Sequence, residues 1–156
     1  MTVMKTLIKN GILADPAAGI NGRKDILISN GKIAEVSEPG KIRETAERVI
    51  DAGGLTVSPG FIDIHMHEDP LNAEGKIEPC IFNAMLKMGV TTAVGGNCGS
   101  NKADPGDYLD IADRDGASVN VCLFAGHQFY REKAGARDKY KKITEEQLSL
   151  LMQGLS

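Results

Sequence analysis

The sequence predicts an α/β protein: a small antiparallel β domain over residues 1–58, followed by parallel βα units over residues 59–156. Three observations lead there. Up to Val57 the chain is rich in aliphatic and β-branched residues punctuated by Asn-Gly and Gly-Gly pairs. Beyond Pro59 the pattern becomes brief apolar runs separated by helical stretches, the alternation that builds a parallel sheet. Each of those apolar runs then ends in residues able to do chemistry: His65-Met66-His67, Asn97-Cys98-Gly99 and Gly126-His127.

In the first domain, Ile26-Leu27-Ile28 and Ile33-Ala34-Glu35-Val36 flank Asn30-Gly31, a dipeptide that tolerates the positive φ angles of a tight hairpin turn. "TLIKNGILAD" before them, and Val49-Ile50 and Leu55-Thr56-Val57 after them, complete a sheet in which nothing asks for chemistry. Pro59-Gly60 and Pro70 bound the next strand, whose Phe61, Ile62 and Ile64 read as buried. In "KIEPCIFNAMLKMG", Pro79 suits a first helical turn, and Ile77, Ile81, Met85 and Met88 recur on one helical face. Gly89 stops that helix, and Cys80 inside it is expected to be a small buried side chain. Residues 90–96 give a second strand. A short helix around Tyr108, Leu109 and Ile111 leads to a third strand over 119–124, with Cys122 in the core. "REKAGARDKYKK" reads as a solvated loop, and Thr144 with Gln147 as the capping box of a last helix striped by Leu148, Leu151 and Leu155.

Residues two apart in a strand share a face, so His65 and His67 project together while Met66 points away. Two imidazoles on the rim of a parallel sheet can share a metal ion, and two of the chain's three histidines are placed here. Asp63 lies on the same face, placed either to orient an imidazole or to make a simple buried hydrogen bond. Cys98 sits among Gly95, Gly96 and Gly99. On the residues alone it is either an inert buried cysteine or a thiolate opening on the same rim as the histidines. His127 is equally divided between a hydrogen-bonded rim residue and one that touches substrate or supports a ligand.

"SPGFIDIHMH", preceded by "LIKNGILADPAAG" and "DILISNGKIAEV", resembles the amidohydrolase superfamily of metal-dependent hydrolases. "GVTTAVGGNCG" and "VNVCLFAGH" resemble its N-acyl-D-amino-acid deacylase (D-aminoacylase) branch. The likeness spans nearly the whole chain; His-x-His marks the superfamily, and Asn97-Cys98-Gly99 points to the branch. It implies a (β/α)8 barrel of the TIM type, of which the residues from Phe61 onward supply about three of eight units. It also implies zinc, one or two ions, with His65, His67 and Cys98 as ligands, and hydrolysis of a linear N-acyl-D-amino acid by a zinc-activated water. Further ligands and the general base are expected beyond Ser156. The chain is therefore expected to be the N-terminal portion of a longer enzyme or a truncated product, inactive alone. Its open barrel edge invites association or homo-oligomerisation. Where the branch continues Gly-His-Gly, Gln128 replaces the second glycine, while Arg131 remains. With Asp63 and His127, Arg131 is a candidate for binding substrate or supporting a ligand. Two rivals stand beside this reading: a dihydroorotase- or hydantoinase-like cyclic amidase, which would bridge two metals with a carboxylated lysine, and a metal-free structural relative.

Composition narrows the partners. A net charge of −3, with Lys and Arg scattered among Asp and Glu, leaves no footprint for nucleic acid. No apolar run approaches the roughly 18 residues of a membrane span, and "MTVMKTLIKNG" is not a secretory signal. Three dispersed cysteines make no disulfide framework. The expectation is a cytoplasmic protein whose partner is a small N-acyl amino acid.

Overall fold

Asn30 and Gly31 take φ values of 52° and 73°, both left-handed, and so turn the chain tightly between two strands of the first sheet. The computed structural model, which describes residues 4–155, divides into two units between Pro59 and Gly60. In the first, β1 (Lys5–Asp15), β2 (Ile20–Ser29) and β3 (Lys32–Ser37) form an antiparallel meander. Residues 38–47 then return the chain to the start of β1, so β4 (Arg48–Asp51) runs parallel to it, as does the short β5 (Thr56–Val57). The sheet is thus antiparallel in its meander and parallel where β4 and β5 join it. Asn10, at φ 65°, marks a bulge in β1, and its N–H donates to the buried carboxylate of Asp25 at 3.0 Å. The other Asp25 oxygen accepts from Gly40 at 2.7 Å, tying the segment after β3 to the sheet.

The second unit is a parallel sheet in the order β6-β7-β8, made of Phe61–Asp63, Val90–Gly95 and Asn120–Leu123. Its helices are α1 (Ile81–Lys87), α2 (Pro105–Asp115), α3 (His127–Lys133) and α4 (Glu145–Gly154). Met66, Phe82, Met85, Ala93, Tyr108 and Val119 form its main core. A second cluster joins Tyr130 and Ala134 to Leu151. The α/β class therefore stands: a first sheet, then parallel strands alternating with helices. Among the described residues no helix is long and apolar enough to cross a membrane.

Several local expectations are corrected. Phe61, Ile62 and Ile64 are exposed rather than buried: among the described residues β6 pairs with β7 alone, at the edge of its sheet, and it ends at Asp63, before the histidines. α1 starts at Ile81, so Pro79 lies outside it, and Cys80 is the exposed N-cap. Its buried face is Phe82 with Met85, while Ile81 and Met88 are exposed. Cys122 is also exposed: along β8, Val121 and Leu123 pack toward the core, and the period of two turns Cys122 the other way. The first three residues of the expected loop 131–142 instead close α3, held by packing of Tyr130 and Ala134 against Leu151. The capping box is present, with Thr144 Oγ1 accepting from Gln147 N at 3.2 Å and Gln147 Oε1 accepting from Thr144 N at 3.1 Å. Of the leucine stripe, Leu151 is buried, and Leu148 and Leu155 are exposed.

Candidate metal centre

Asp63, His65, His67, Cys98 and His127 lie at or just beyond the C-terminal ends of the three parallel strands, and Arg131 lies within α3. His65 and His67 follow β6, Cys98 follows β7, and His127 opens α3 after β8. Parallel strands present one common rim, and there the residues from different strands can meet. Burial alternates along the first segment: His65 and His67 are exposed, and Met66 and Glu68 are buried. Asp63 accepts the backbone N–H of His65 at 3.0 Å, so it fixes the main chain there rather than the imidazole.

Cys98 Sγ lies 3.8 Å from His65 Nε2. A tetrahedral zinc ion with Zn–S of about 2.3 Å and Zn–N of about 2.0–2.1 Å separates its sulfur and nitrogen ligands by about 3.6 Å. The pair therefore fits one edge of such a site. His67 is not part of a larger group: among the described residues no three His, Cys, Asp or Glu side chains are disposed to hold a metal. The structure brings together two of the three expected ligands.

Cys98 is held in an unusual state. Its φ of 57° and ψ of 17° lie in the left-handed region, which for a residue with a Cβ costs about 1–2 kcal/mol. Such strain persists only where the surroundings over-determine it. Here they do. Asn97 Nδ2 donates to the carbonyls of Val94, Met66 and Ile64 at 2.8, 3.2 and 3.4 Å, lacing the end of β7 to the histidine segment. Gly96, at φ 75°, comes so close to the segment after β8 that an added Cβ would lie 2.2 Å from the Phe124 carbonyl oxygen. Asn101 accepts from Gly126 N at 2.8 Å and donates to Phe124 O at 3.1 Å.

Two buried acidic residues follow the histidines and hold the neighbouring segments in place. Asp69, fully buried, accepts from Cys80, Ile81 and Phe82 N at 3.2, 2.7 and 2.9 Å, and so caps α1 from eleven residues upstream. Its carbonyl accepts the Tyr108 hydroxyl at 2.9 Å, and burial followed by the nearby Asp69 and Glu68 charges pushes that hydroxyl's pKa up. Glu68, also buried, accepts from Gly96 N and Lys102 N, both at 2.9 Å. No local pattern announces their burial: a carboxylate stays inside only where donors reach it, and here the donors come from residues 80–82, 96, 101 and 102.

Beside Cys98 opens a cleft of about 330 Å³ whose walls include His127, Gln128, Arg131, Arg137 and Lys139, with Glu132 as the one carboxylate. Three cations facing one anion favour an anionic ligand. Arg131 also donates to the carbonyls of Asp138 and Lys141 at 3.1 and 3.4 Å, which shapes the loop forming the cleft's far side. His127 thus sits in the cleft wall next to Cys98, not in the sulfur–imidazole pair.

The N-acyl-D-glutamate deacylase of Bordetella bronchiseptica, crystallised with zinc and a phosphonate mimic of the tetrahedral intermediate, superposes with a TM-score of 0.82 at 26% identity, covering 99% of this chain and 36% of that one. A D-aminoacylase superposes with a TM-score of 0.77 at 25% identity, covering 93% of this chain and 34% of that one. In sequence, the dihydroorotase of Elusimicrobium minutum is 46% identical over 124 residues, 76% of this chain. The chain spans 28% of that relative's length. The strand–helix alternation is that of the start of a TIM-type barrel in these structures. The model of the amidohydrolase family matches residues 48–153, which include the histidine segment, the cysteine loop and the cleft, and the chain belongs to that family.

Proposed function

We propose that this chain supplies the first metal ligands and part of the substrate cleft of a zinc-dependent hydrolase that removes the acyl group from N-acyl-D-amino acids. The observation that carries the reading is the 3.8 Å approach of Cys98 Sγ to His65 Nε2. A cysteine ligand on the second strand is what the D-aminoacylase resemblance implies, whereas a cyclic amidase would place a carboxylated lysine at a strand end. Zinc, when bound, lowers the pKa of a water ligand to about 7 and polarises the scissile carbonyl. His65 and Cys98 would hold the ion, with His67 on the same face as a further donor. Asp63 fixes the backbone of His65, and Asn97 keeps the cysteine loop in register with it. The basic wall of Arg131, Arg137 and Lys139 would receive the substrate's carboxylate, leaving its amide directed toward the ligand pair.

A second reading, ring opening of a cyclic amide, is favoured by the 46% identity to a dihydroorotase. One panel separates the two: the zinc-loaded complete protein, carrying the later barrel strands that this proposal requires, assayed on N-acetyl-D-amino acids, their L-isomers and dihydroorotate. Turnover of D-isomers alone is expected. Turnover confined to L-isomers or to the cyclic substrate overturns the proposal.

A further inference from the structure

We propose that Glu68 is a positioning residue that holds Cys98 in ligand geometry, an inference that rests on the metal reading above. Glu68 is 1% exposed and immediately follows His67. Its side chain does not join the histidines on the rim. It points inward and under the cysteine loop, where Oε2 accepts from Gly96 N at 2.9 Å and Oε1 accepts from Lys102 N at 2.9 Å and Asn101 Nδ2 at 3.4 Å. These donors bracket Cys98, two residues before it and three and four after. Burying a carboxylate is unfavourable unless its oxygens find donors, and here every donor comes from the loop in its observed form. The solvation of Glu68 and the shape of the loop are therefore one interaction.

Gly95 leaves room for this arrangement: an added Cβ would lie 2.6 Å from Glu68 Oε2 and 2.8 Å from Leu123 Cδ2, so one of those side chains would have to shift. Within the loop so fixed, Cys98 keeps its left-handed backbone and its sulfur faces His65. If the carboxylate is lost, the loop can relax to a negative φ at Cys98, which turns the Cα–Cβ bond away from the imidazole. One residue thus couples the two ligand-bearing segments: its backbone continues from His67, and its side chain fixes the segment of Cys98.

The test uses the full chain with Co(II) as the probe. Glu68→Gln is nearly isosteric, but its single acceptor oxygen cannot serve both backbone N–H groups, and its NH2 faces one of them. E68Q is expected to stay folded by circular dichroism, to bind Co(II) about 10- to 100-fold more weakly, and to lose sulfur-to-cobalt charge-transfer absorbance per ion bound. In the metal-free protein, amide exchange at Gly96 and Lys102 should speed up. Lys102→Ala, which keeps the backbone N–H, should match the wild type. A residue that merely stabilises the fold would lower the thermal midpoint and leave Co(II) affinity and the sulfur band unchanged; that result overturns the proposal. Should E68Q fail to fold, Asn101→Ala removes the third contact to the same carboxylate and should weaken Co(II) binding to a smaller degree, with unchanged affinity again overturning it. A wild-type protein that binds Co(II) without a sulfur band overturns the metal reading itself, a failure distinct from an intact band that E68Q leaves alone.

Discussion

Asp69→Ala should unfold the second unit far more easily than its position in a loop suggests. The three N–H groups that Asp69 accepts belong to the first turn of α1, where no intrahelical acceptor exists, and Cys80 makes no side-chain cap. Phe82 N is buried, so leaving it unpaired costs about 1–3 kcal/mol. Cys80 N also donates to the Glu78 carbonyl at 2.8 Å and keeps that partner, so only Ile81 N, whose part-buried bond water replaces in part, adds about 0.5–1.5 kcal/mol. The sum, about 1.5–4.5 kcal/mol, is a large share of the roughly 5–15 kcal/mol that holds a typical domain together. Asp69→Asn keeps the oxygen that serves Cys80 and Ile81 but turns an NH2 against Phe82, so its loss should be near the single-donor value of about 1–3 kcal/mol. Urea unfolding followed by near-ultraviolet tyrosine dichroism reads this unit selectively, because Tyr108, Tyr130 and Tyr140 all lie beyond Gly60 and the chain has no Trp. The expected order of stability is wild type, then D69N, then D69A. A D69A midpoint within error of the wild type would refute the view that this carboxylate caps α1.

Two further outcomes follow from the same geometry. Asn97→Ala removes the amide that reaches three carbonyls, and should cost about 1–2 kcal/mol in urea unfolding while also weakening zinc binding in an equilibrium competition against a chelator. The Asp104 carboxyl is held below the usual carboxylate range, first by its hydrogen bond to Lys133, so its contribution is present above the unfolded carboxyl pKa of about 3.9 and lost as pH falls through the lower folded value. Lys133→Met should therefore flatten the acid limb of a stability–pH profile; an acid limb as steep as the wild type's would remove this pair from the account.

What the sequence made legible was what depends on local chemistry. Asn30-Gly31 announces its turn because few other dipeptides accept two positive φ angles, and Thr144 with Gln147 announces a helix start because the capping box is local. The apolar runs ending in His65, Cys98 and His127 reported strands whose ends share a rim, and this brought two residues thirty-three apart to within 3.8 Å. What stayed hidden depends on partners distant in sequence. The exposure of Phe61 and Ile62 goes with β6 lying, among the described residues, at the edge of its sheet, a matter of tertiary pairing. α3 escaped because its seven residues are too few to be stable alone and are held by packing against Leu151. The burial of Glu68 and Asp69 depends on donors carried by other segments, which no local pattern states. The structure also leaves His67 outside the sulfur–imidazole pair, although the period of two placed it beside His65.

The most direct test of the central claim is X-ray absorption at the zinc edge of the zinc-loaded full chain, alongside Cys98→Ser. The account predicts one sulfur at about 2.3 Å with nitrogen and oxygen at about 2.0–2.1 Å, and loss of the sulfur shell in C98S. A wild-type zinc shell made of nitrogen and oxygen alone would contradict it.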